Sequence, residues 1–340
     1  MKVLVTGGTG FLGKHVVRAL ISQDYSVRVI ARGSSSSLPA GVELMRGDLR
    51  DRDTVRRALA GADGLYHLAG FVSFDPKDGR AMYELHVECT RHLLNEAADA
   101  GIRRIVLAST SGAIAVSKEE RIGTEADDYP IAVVGRWPYY LSKIYQEKLA
   151  LGFCRDRSIP LIVLNPSLFL GPGDDRLSST WIVSKFLKQD VPTMPSGGFS
   201  FVDVRDAADA FVAALTRGEI YGRHLMGVNM SFSDFFGRLN RLTGVPAPKL
   251  RLPSTVNVLG AKLLERWAKV RGTEAPIDPY SVEIGEHFFY LDASKSEHLL
   301  GFHPRDPQQT LYETVQYLLS KMPAHAIPGV KGKLRQLREE

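Results

Sequence analysis

Short apolar runs alternate with amphipathic segments along the first half of the chain. The apolar runs have the length of buried strands, whereas the amphipathic segments repeat their apolar residues at helical spacing. The predicted strands span residues 2–6, 26–31, 43–46, 64–68, 104–109 and 161–164, and the predicted helices span 11–22, 53–60, 82–100 and 139–156. Such alternation is typical of βαβ units. It predicts an α/β fold with a doubly wound parallel sheet covered by helices on both faces.

The regular alternation loosens after about residue 170. A turn cluster at 171–175 is followed by segments predicted as a strand at 199–202 and a helix at 206–215. We therefore expect a first domain over residues 1–170, with its sheet completed by about 199–230. The rest of 171–330 is predicted to form mostly a smaller C-terminal α/β lobe that binds substrate, and 331–340 a basic tail.

Residues 255–271 form an amphipathic segment with a well-marked apolar stripe. The stripe consists of Val258, Leu259, Leu263, Leu264 and Trp267. We interpret the segment as a cap helix that buries this stripe. A helix that lies on a membrane surface or binds a partner is the alternative.

Composition limits the classes of protein further. The 340 residues include 43 Lys and Arg against 38 Asp and Glu, and this small excess of +5 is spread along the chain. It gives no indication of nucleic-acid binding. No apolar run reaches the length of a membrane span. Cys89 and Cys154 lie in helical segments, which indicates buried free thiols and is consistent with a cytoplasmic protein. The histidines show no metal-ligand spacing.

A glycine-rich turn lies between the first predicted strand and helix, at Thr6–Gly13. Gly7 permits a tight turn, Gly10 permits close approach of backbone N–H groups to a pyrophosphate, and Gly13 permits close packing of helix on sheet. The helix N-terminus adds free N–H donors. The turn predicts a dinucleotide site and a Rossmann-like sheet.

The residues at the end of the second strand indicate whether the dinucleotide is NAD or NADP. NAD sites usually carry an acidic residue there, but this chain has Arg32, followed by Ser34 and Ser35. An arginine pairs with a 2′-phosphate, so we expect NADP, with NAD as the less favoured cofactor. Stacking of Arg32 over adenine is the alternative. Asp48 is placed either to reach the adenine or to cap its own loop.

Tyr139 and Lys143 stand four residues apart on a predicted helix and therefore share a face. A nearby ammonium is expected to move the tyrosine pKa toward neutrality, which suits acid–base catalysis. Tyr140 is a weaker competitor. Ser109–Ser111 end the fifth strand, where hydroxyls point into the ligand crevice.

These motifs make the chain resemble an extended short-chain dehydrogenase/reductase, most of all the dihydroflavonol reductase-like members of the epimerase/dehydratase type. The resemblance rests on Thr6–Gly13, Gly47–Leu49, His67–Gly70, Ser109–Ser111, Tyr139–Lys143, Asn165–Ser167 and Phe201–Asp206. It implies that Tyr139 is the catalytic acid, that Lys143 lowers its pKa and binds the nicotinamide ribose, and that Ser111 orients the substrate carbonyl. It implies a cofactor site of Gly7, Thr9, Gly10, Phe11, Leu12, Gly13, Arg32, Asp48, Leu49, Ala69, Gly70, Lys143, Pro166 and Ser167. His86 stands where many relatives carry asparagine. The resemblance also implies a homodimer.

Three functions remain open at this point. The favoured one is an NADP-dependent reductase or dehydrogenase. The alternatives are a nucleotide-sugar epimerase or dehydratase with retained NAD, and a non-catalytic NADP-sensing regulator. Phe199 and Val282 stand where nucleotide-sugar members carry arginines, which favours a small apolar or aromatic substrate, although Arg205 and Arg223 are close enough in sequence to replace them. The predicted pocket walls are Phe71, Val72, Phe74, Trp137, Leu168, Phe169, Trp181 and Phe199.

Overall fold

The computed structural model describes residues 1–33, 38–273 and 278–322. Ser34, Ser35 and the basic tail lie outside these residues. The strands are β1 Lys2–Thr6, β2 Ser26–Ala31, β3 Glu43–Arg46, β4 Gly64–His67, β5 Arg104–Ala108, β6 Ile122–Gly123, β7 Leu161–Pro166, β8 Leu168–Leu170, β9 Gly198–Asp203, β10 Arg223–Met226, β11 Val228–Ser231 and β12 Tyr290–Leu291.

The α-helices are α1 Phe11–Ser22, α2 Arg52–Leu59, α3 Gly79–Tyr83, α4 Cys89–Asp99, α5 Ile131–Val134, α6 Pro138–Asp156, α7 Trp181–Leu187, α8 Val204–Ala213, α9 Phe232–Thr243, α10 Ser254–Arg271, α11 Pro279–Gly285, α12 Ser294–Leu300 and α13 Pro307–Lys321. The segment predicted as one helix over 82–100 is interrupted, because Glu84–Glu88 forms a π-helical turn between α3 and α4. Short 3₁₀ turns lie at Pro76–Asp78 and Ser111–Ala113.

Seven parallel strands form the central sheet, in the order β10-β7-β5-β4-β1-β2-β3. The predicted doubly wound sheet is confirmed. Alternation along the strands divides the core into two layers: Val3 and Val5 pack on the side of α1 and α8, whereas Leu4 packs on the side of α2 and α4. Ligands in such sheets bind outside the carboxyl ends of the strands.

Two smaller sheets complete the fold. They are the three-stranded sheet β11-β9-β8 and the two-stranded sheet β12-β6. Phe199 of β9 packs on Phe232 and Phe235 of α9, with ring centroids 4.8 and 4.9 Å apart. These rings belong to the same hydrophobic core as Val3 and Val5 of β1, so the small sheet packs continuously with the central sheet.

The expectation that residues 255–271 bury their apolar stripe is wrong. The segment is a helix, α10, but Leu259, Leu263, Leu264 and Trp267 are exposed on it. Its buried residues are instead Asn257, Ala261 and Ala268. Periodicity shows correctly that the apolar residues share a face, but it does not show which face meets the core.

Candidate active site

The glycine turn follows β1 and opens into a cleft of about 1000 Å³. Gly7 has φ +71°, and a Cβ there would lie 2.6 Å from the backbone nitrogen of Ala69. A Cβ on Gly13 would lie 2.1 Å from the Gly7 carbonyl oxygen, so α1 packs this close to β1 only with glycine. Gly10 begins α1 with no side-chain cap, which leaves the first N–H donors of the helix for an anion. This cradle fits a dinucleotide pyrophosphate.

The predicted cofactor residues line this cleft and the cavities joined to it. The turn residues, Arg32, Gly70, Lys143 and Pro166 line the cleft itself. Asp48, Leu49 and Ala69 line its extension of about 480 Å³. Ser167 lines an adjoining pocket instead. Arg50 donates to the Asp48 carboxylate through Nε at 3.0 Å and Nη2 at 2.8 Å, and these hydrogen bonds lower the pKa of Asp48.

Tyr139 lies at the start of α6 and faces both the cleft and the adjoining pocket. Thr110 and Ser111, the residue expected beside the phenol, both line that pocket with Tyr139. Thr110 is close enough to the phenol to lower its pKa, and Ser111 begins the 3₁₀ turn that follows β5. The structure therefore places both hydroxyl residues beside the tyrosine.

Lys143 also reaches the cleft, but its ammonium points toward buried polar groups. Nζ donates to the Ala108 carbonyl at 2.7 Å and to Gln146 Oε1. Gln146 donates to Thr90 Oγ1 at 2.9 Å, and His67 lies 2.8 Å from the same hydroxyl. A buried polar chain thus connects Lys143 to His67, which is hydrogen-bonded to Thr6 at the glycine turn.

The pKa of Tyr139 moves opposite to expectation. Loss of solvent around the phenol raises it to about 12, and the Thr110 hydrogen bond offsets only part of this. Burial lowers the pKa of Lys143 to about 7, with the carboxylate of Glu147 opposing the shift. The ammonium is itself poorly solvated and bonded elsewhere, so it does not supply the expected depression. Tyr139 therefore holds its proton at neutral pH.

His86 is buried in the π-helical turn and joins two walls of the site. Its Nε2 accepts from the Phe71 N–H at 3.0 Å, so Nδ1 carries the proton and donates to Ser142 Oγ at 2.8 Å. Ser142 in turn donates to the Tyr139 carbonyl at 2.8 Å. Burial lowers the pKa of His86 well below its ordinary value. Both ring nitrogens are engaged, and the imidazole is neutral.

A second pocket, of about 220 Å³, adjoins the cleft at Tyr139 and Thr110. Of the predicted wall residues, it is lined by Val72, Phe74, Leu168, Phe169, Trp181 and Phe199. Sequence reasoning missed its other large walls, Tyr140, Ile182, Phe232, Ile284 and Phe289. Three of these come from beyond residue 230, where no local motif marks them. Within the described residues, none of the side chains that line this pocket is charged.

Two predicted wall residues lie elsewhere. Trp137 is 1% exposed and packs in the core against His287, with ring centroids 4.9 Å apart, and against Phe289. Phe71 lines the cofactor cleft. Trp137 was a wrong prediction because its partners come from the end of the chain. Tyr140, the weaker competitor of Tyr139 in the sequence, also lines the pocket.

The two arginines considered as replacements for a diphosphate clamp are engaged elsewhere. Arg205 pairs with Asp203 at 2.7 Å and with Glu313. Arg223 donates to the Asp127 carbonyl at 3.1 Å and lies 5.2 Å from the centroid of the Tyr129 ring. Neither lines the pocket beside Tyr139.

The loop over 171–180 covers one side of both cavities. Asp174 holds it by accepting hydrogen bonds from the backbone of Ser178, Ser179 and Thr180. Asp175 accepts from Lys14 of α1 at 2.8 Å, and this contact lowers the Asp175 pKa to about 2. Ser178 and Ser179 line both cavities. We name residues 171–180 the covering loop.

The fold and this site together define an enzyme of the short-chain dehydrogenase/reductase type, in its extended form. Residues 3–225 match the family described as the NAD dependent epimerase/dehydratase family, and the chain belongs to that family. The resemblance inferred from the sequence motifs is confirmed.

The similar proteins include both reductases and epimerases. The chain is 32% identical over 328 residues to a putative dihydroflavonol 4-reductase of Synechocystis sp., covering 92% of this chain and 93% of that protein. It is 32% identical over 331 residues to sterol demethylase protein B of Methylococcus capsulatus, covering 93% and 98%. The crystal structure of gox2253 matches with a TM-score of 0.81 at 28% identity, covering 94% and 98%. A UDP-glucose 4-epimerase of Thermotoga maritima matches in fold, with a TM-score of 0.74 at 21% identity, covering 95% and 100%.

Proposed function

We propose that this protein is an NADP-dependent reductase that acts on the carbonyl group of a small apolar or aromatic substrate. The observation that carries the proposal is the uncharged, aromatic pocket beside Tyr139. A nucleotide-sugar diphosphate buried among these side chains would lack a cationic partner, which is costly. An apolar ketone or aldehyde has no such requirement.

The protonation state of Tyr139 supports reduction of the carbonyl as the direction of the reaction. When bound, the nicotinamide cofactor supplies a hydride to the carbonyl carbon. The carbonyl oxygen then needs a proton, and Tyr139 with its raised pKa holds one at neutral pH. Thr110 lines the pocket beside Tyr139 and lowers the pKa of the phenol, so we assign it the hydrogen bond to the same oxygen. In the reverse direction the phenolate accepts the proton from the alcohol.

In this proposal Lys143 hydrogen-bonds the nicotinamide ribose. Ala108 and Gln146 accept from two of its three N–H donors, which leaves one for the ribose. The polar chain through Gln146 and Thr90 holds the lysine in place.

Arg32 supports NADP over NAD. It follows β2, is exposed and lines the cleft, where a guanidinium pairs with a 2′-phosphate. Titration calorimetry of the apo protein with NADPH and NADH tests this. We expect clear preference for NADPH, lost in Arg32→Asp and kept in Arg18→Asp, which changes an exposed arginine on α1. Equal affinities in the unaltered protein would contradict the assignment.

Activity tests the remainder of the proposal. With NADPH and a panel of aryl ketones and aldehydes we expect turnover, and Tyr139→Phe should lower kcat by roughly 10³-fold while the Kd of NADPH stays unchanged. Tightly retained NAD in the purified protein, with conversion of UDP-glucose and no net oxidation of NADPH, would instead establish the epimerase alternative.

A further inference from the structure

Helix α10 turns its large apolar side chains away from the protein. The exposed fractions are 50% for Val256, 60% for Leu259, 57% for Leu263, 53% for Trp267 and 87% for Val270. These residues recur at intervals of three and four, so they form one continuous stripe along a helix of about 27 Å. We call them the α10 stripe.

The side of α10 that meets the protein is small and polar. Ala261 and Ala268 are buried there with Asn257. Asn257 donates to Glu286 at 2.8 Å and accepts from Thr193 at 3.1 Å, which fixes the rotation of the helix about its axis. A helix that only covers a core places its large apolar residues inward. The outward stripe therefore meets something other than this chain's own core.

Basic residues border the stripe. Lys262, Arg266 and Lys269 are also spaced by four and three residues, and they form one edge of it. Arg271 lies at the C-terminal end, with its guanidinium 3.7 Å from the centroid of the Trp267 ring. The acidic residue in α10 is Glu265, which pairs with Lys269 at 2.7 Å. Lys249 and Arg251 add positive charge just before the helix.

We propose that α10 docks on an anionic lipid membrane, with the α10 stripe in the interfacial region and the basic edge on the lipid phosphates. An apolar stripe beside Lys and Arg, with tryptophan at the boundary, is the pattern of helices that lie in a membrane interface. A second copy of the chain is less suitable as the occupant, because two such basic surfaces repel each other. No helix within the described residues is long and apolar enough to cross a membrane. The association is therefore peripheral.

The position of α10 links docking to the pocket. α10 packs on α11, and α11 supplies Ser281, Ile284 and Gly285 to the wall of the apolar pocket. Docking places this wall next to the lipid, from which an apolar compound can partition.

Vesicle co-sedimentation of the full chain tests the proposal. We expect binding to phosphatidylcholine vesicles that contain phosphatidylglycerol, much weaker binding to pure phosphatidylcholine, and weakening by salt. Leu263→Glu with Trp267→Glu should abolish binding. Lys262→Gln with Arg266→Gln should lower the affinity by roughly 30-fold, from about 1 kcal/mol for each of the two basic residues.

The matched control is Ile122→Glu with Ile220→Glu, two exposed residues outside α10 that receive the same added charge. It should bind vesicles like the unaltered protein. Circular dichroism and NADPH binding confirm that each variant is folded. Equal loss of binding in this control, or absence of binding to the anionic vesicles, would overturn the proposal. A third result would also overturn it: the protein sediments as a dimer that dissociates only in the α10 stripe variant, and it does not bind the vesicles.

Discussion

The three hydroxyl residues at the end of β5 are neighbours in sequence but differ in their contacts. Ser109 Oγ donates to the buried carboxylate of Glu147 at 2.5 Å. Thr110 and Ser111 both line the pocket beside Tyr139, and of the two it is Thr110 that lowers the pKa of the phenol. For that reason we favour Thr110 as the donor to the proposed reacting oxygen. The direction of each side chain depends on how the strand ends, which the sequence does not reveal.

A pair of substitutions separates the two candidates. Thr110→Val should lower kcat by roughly 10²-fold at saturating NADPH, because it removes a donor at the developing alkoxide. Ser111→Ala should change kcat by less than about threefold, and Thr110→Ser should restore most of the rate. Steady-state kinetics on an aryl ketone measures all three. A larger loss in Ser111→Ala would return the orienting role to Ser111.

The features whose geometry the sequence indicates correctly are local ones. The glycine turn and the Tyr139–Lys143 spacing depend on a few consecutive residues, so they could be read directly. Trp137 could not, because its burial depends on His287 and Phe289, 150 residues away in the chain. The pKa of Tyr139 depends on solvent exclusion by the whole site, which no spacing reports.

At the scale of elements, the π-helical turn at Glu84–Glu88 is the main departure from prediction. Apolar periodicity over 82–100 predicts one regular helix, yet the extra residue in this turn directs His86 into the site. The strands and the other helices follow the pattern closely, because their buried residues recur at the simple spacing of a strand or a helix. The orientation of α10 does not follow from its period, because the period shows which residues share a face and not which face meets the protein.

His86 acts as a positioning residue through this turn. His86→Ala leaves the Phe71 N–H and Ser142 without this partner, so we expect kcat/KM to fall about tenfold with little change in the Kd of NADPH. His86→Asn keeps one acceptor and one donor and should recover part of the loss. The pH profile of kcat should keep its shape in both variants, because the imidazole stays neutral. If either variant loses one limb of the pH profile of kcat, His86 takes part in proton transfer.

At the scale of the whole molecule, buried neutral histidines make stability depend on pH. Burial lowers the pKa of His67 to about 3 and that of His224 to about 4. The unfolded chain binds these protons below about pH 6.5 and the folded chain does not, so stability is full above pH 6.5 and falls on acidification. Each such histidine costs ~2 kcal/mol of the free energy of unfolding at pH 5.

Thermal unfolding between pH 5 and pH 7.5 measures this effect. The Tm should fall steadily below pH 6.5, and His224→Gln should flatten the slope, since glutamine takes no proton. Asp175, with its pKa near 2, titrates outside this window. If the dependence of Tm on pH is the same in the variant, His224 does not contribute to it.

The covering loop has a consequence for how each ligand affects the binding of the other. It forms a wall of both cavities, and the contact between Lys14 and Asp175 fastens it to the helix that receives the pyrophosphate. A dinucleotide that holds this loop in place also favours closure of the second cavity, and by linkage the second ligand raises the affinity for the first by the same factor. We therefore expect the two ligands to bind with positive cooperativity. Asp175→Asn should weaken this coupling. In that variant the Kd of an inhibitor that binds the second cavity should be similar with and without NADP.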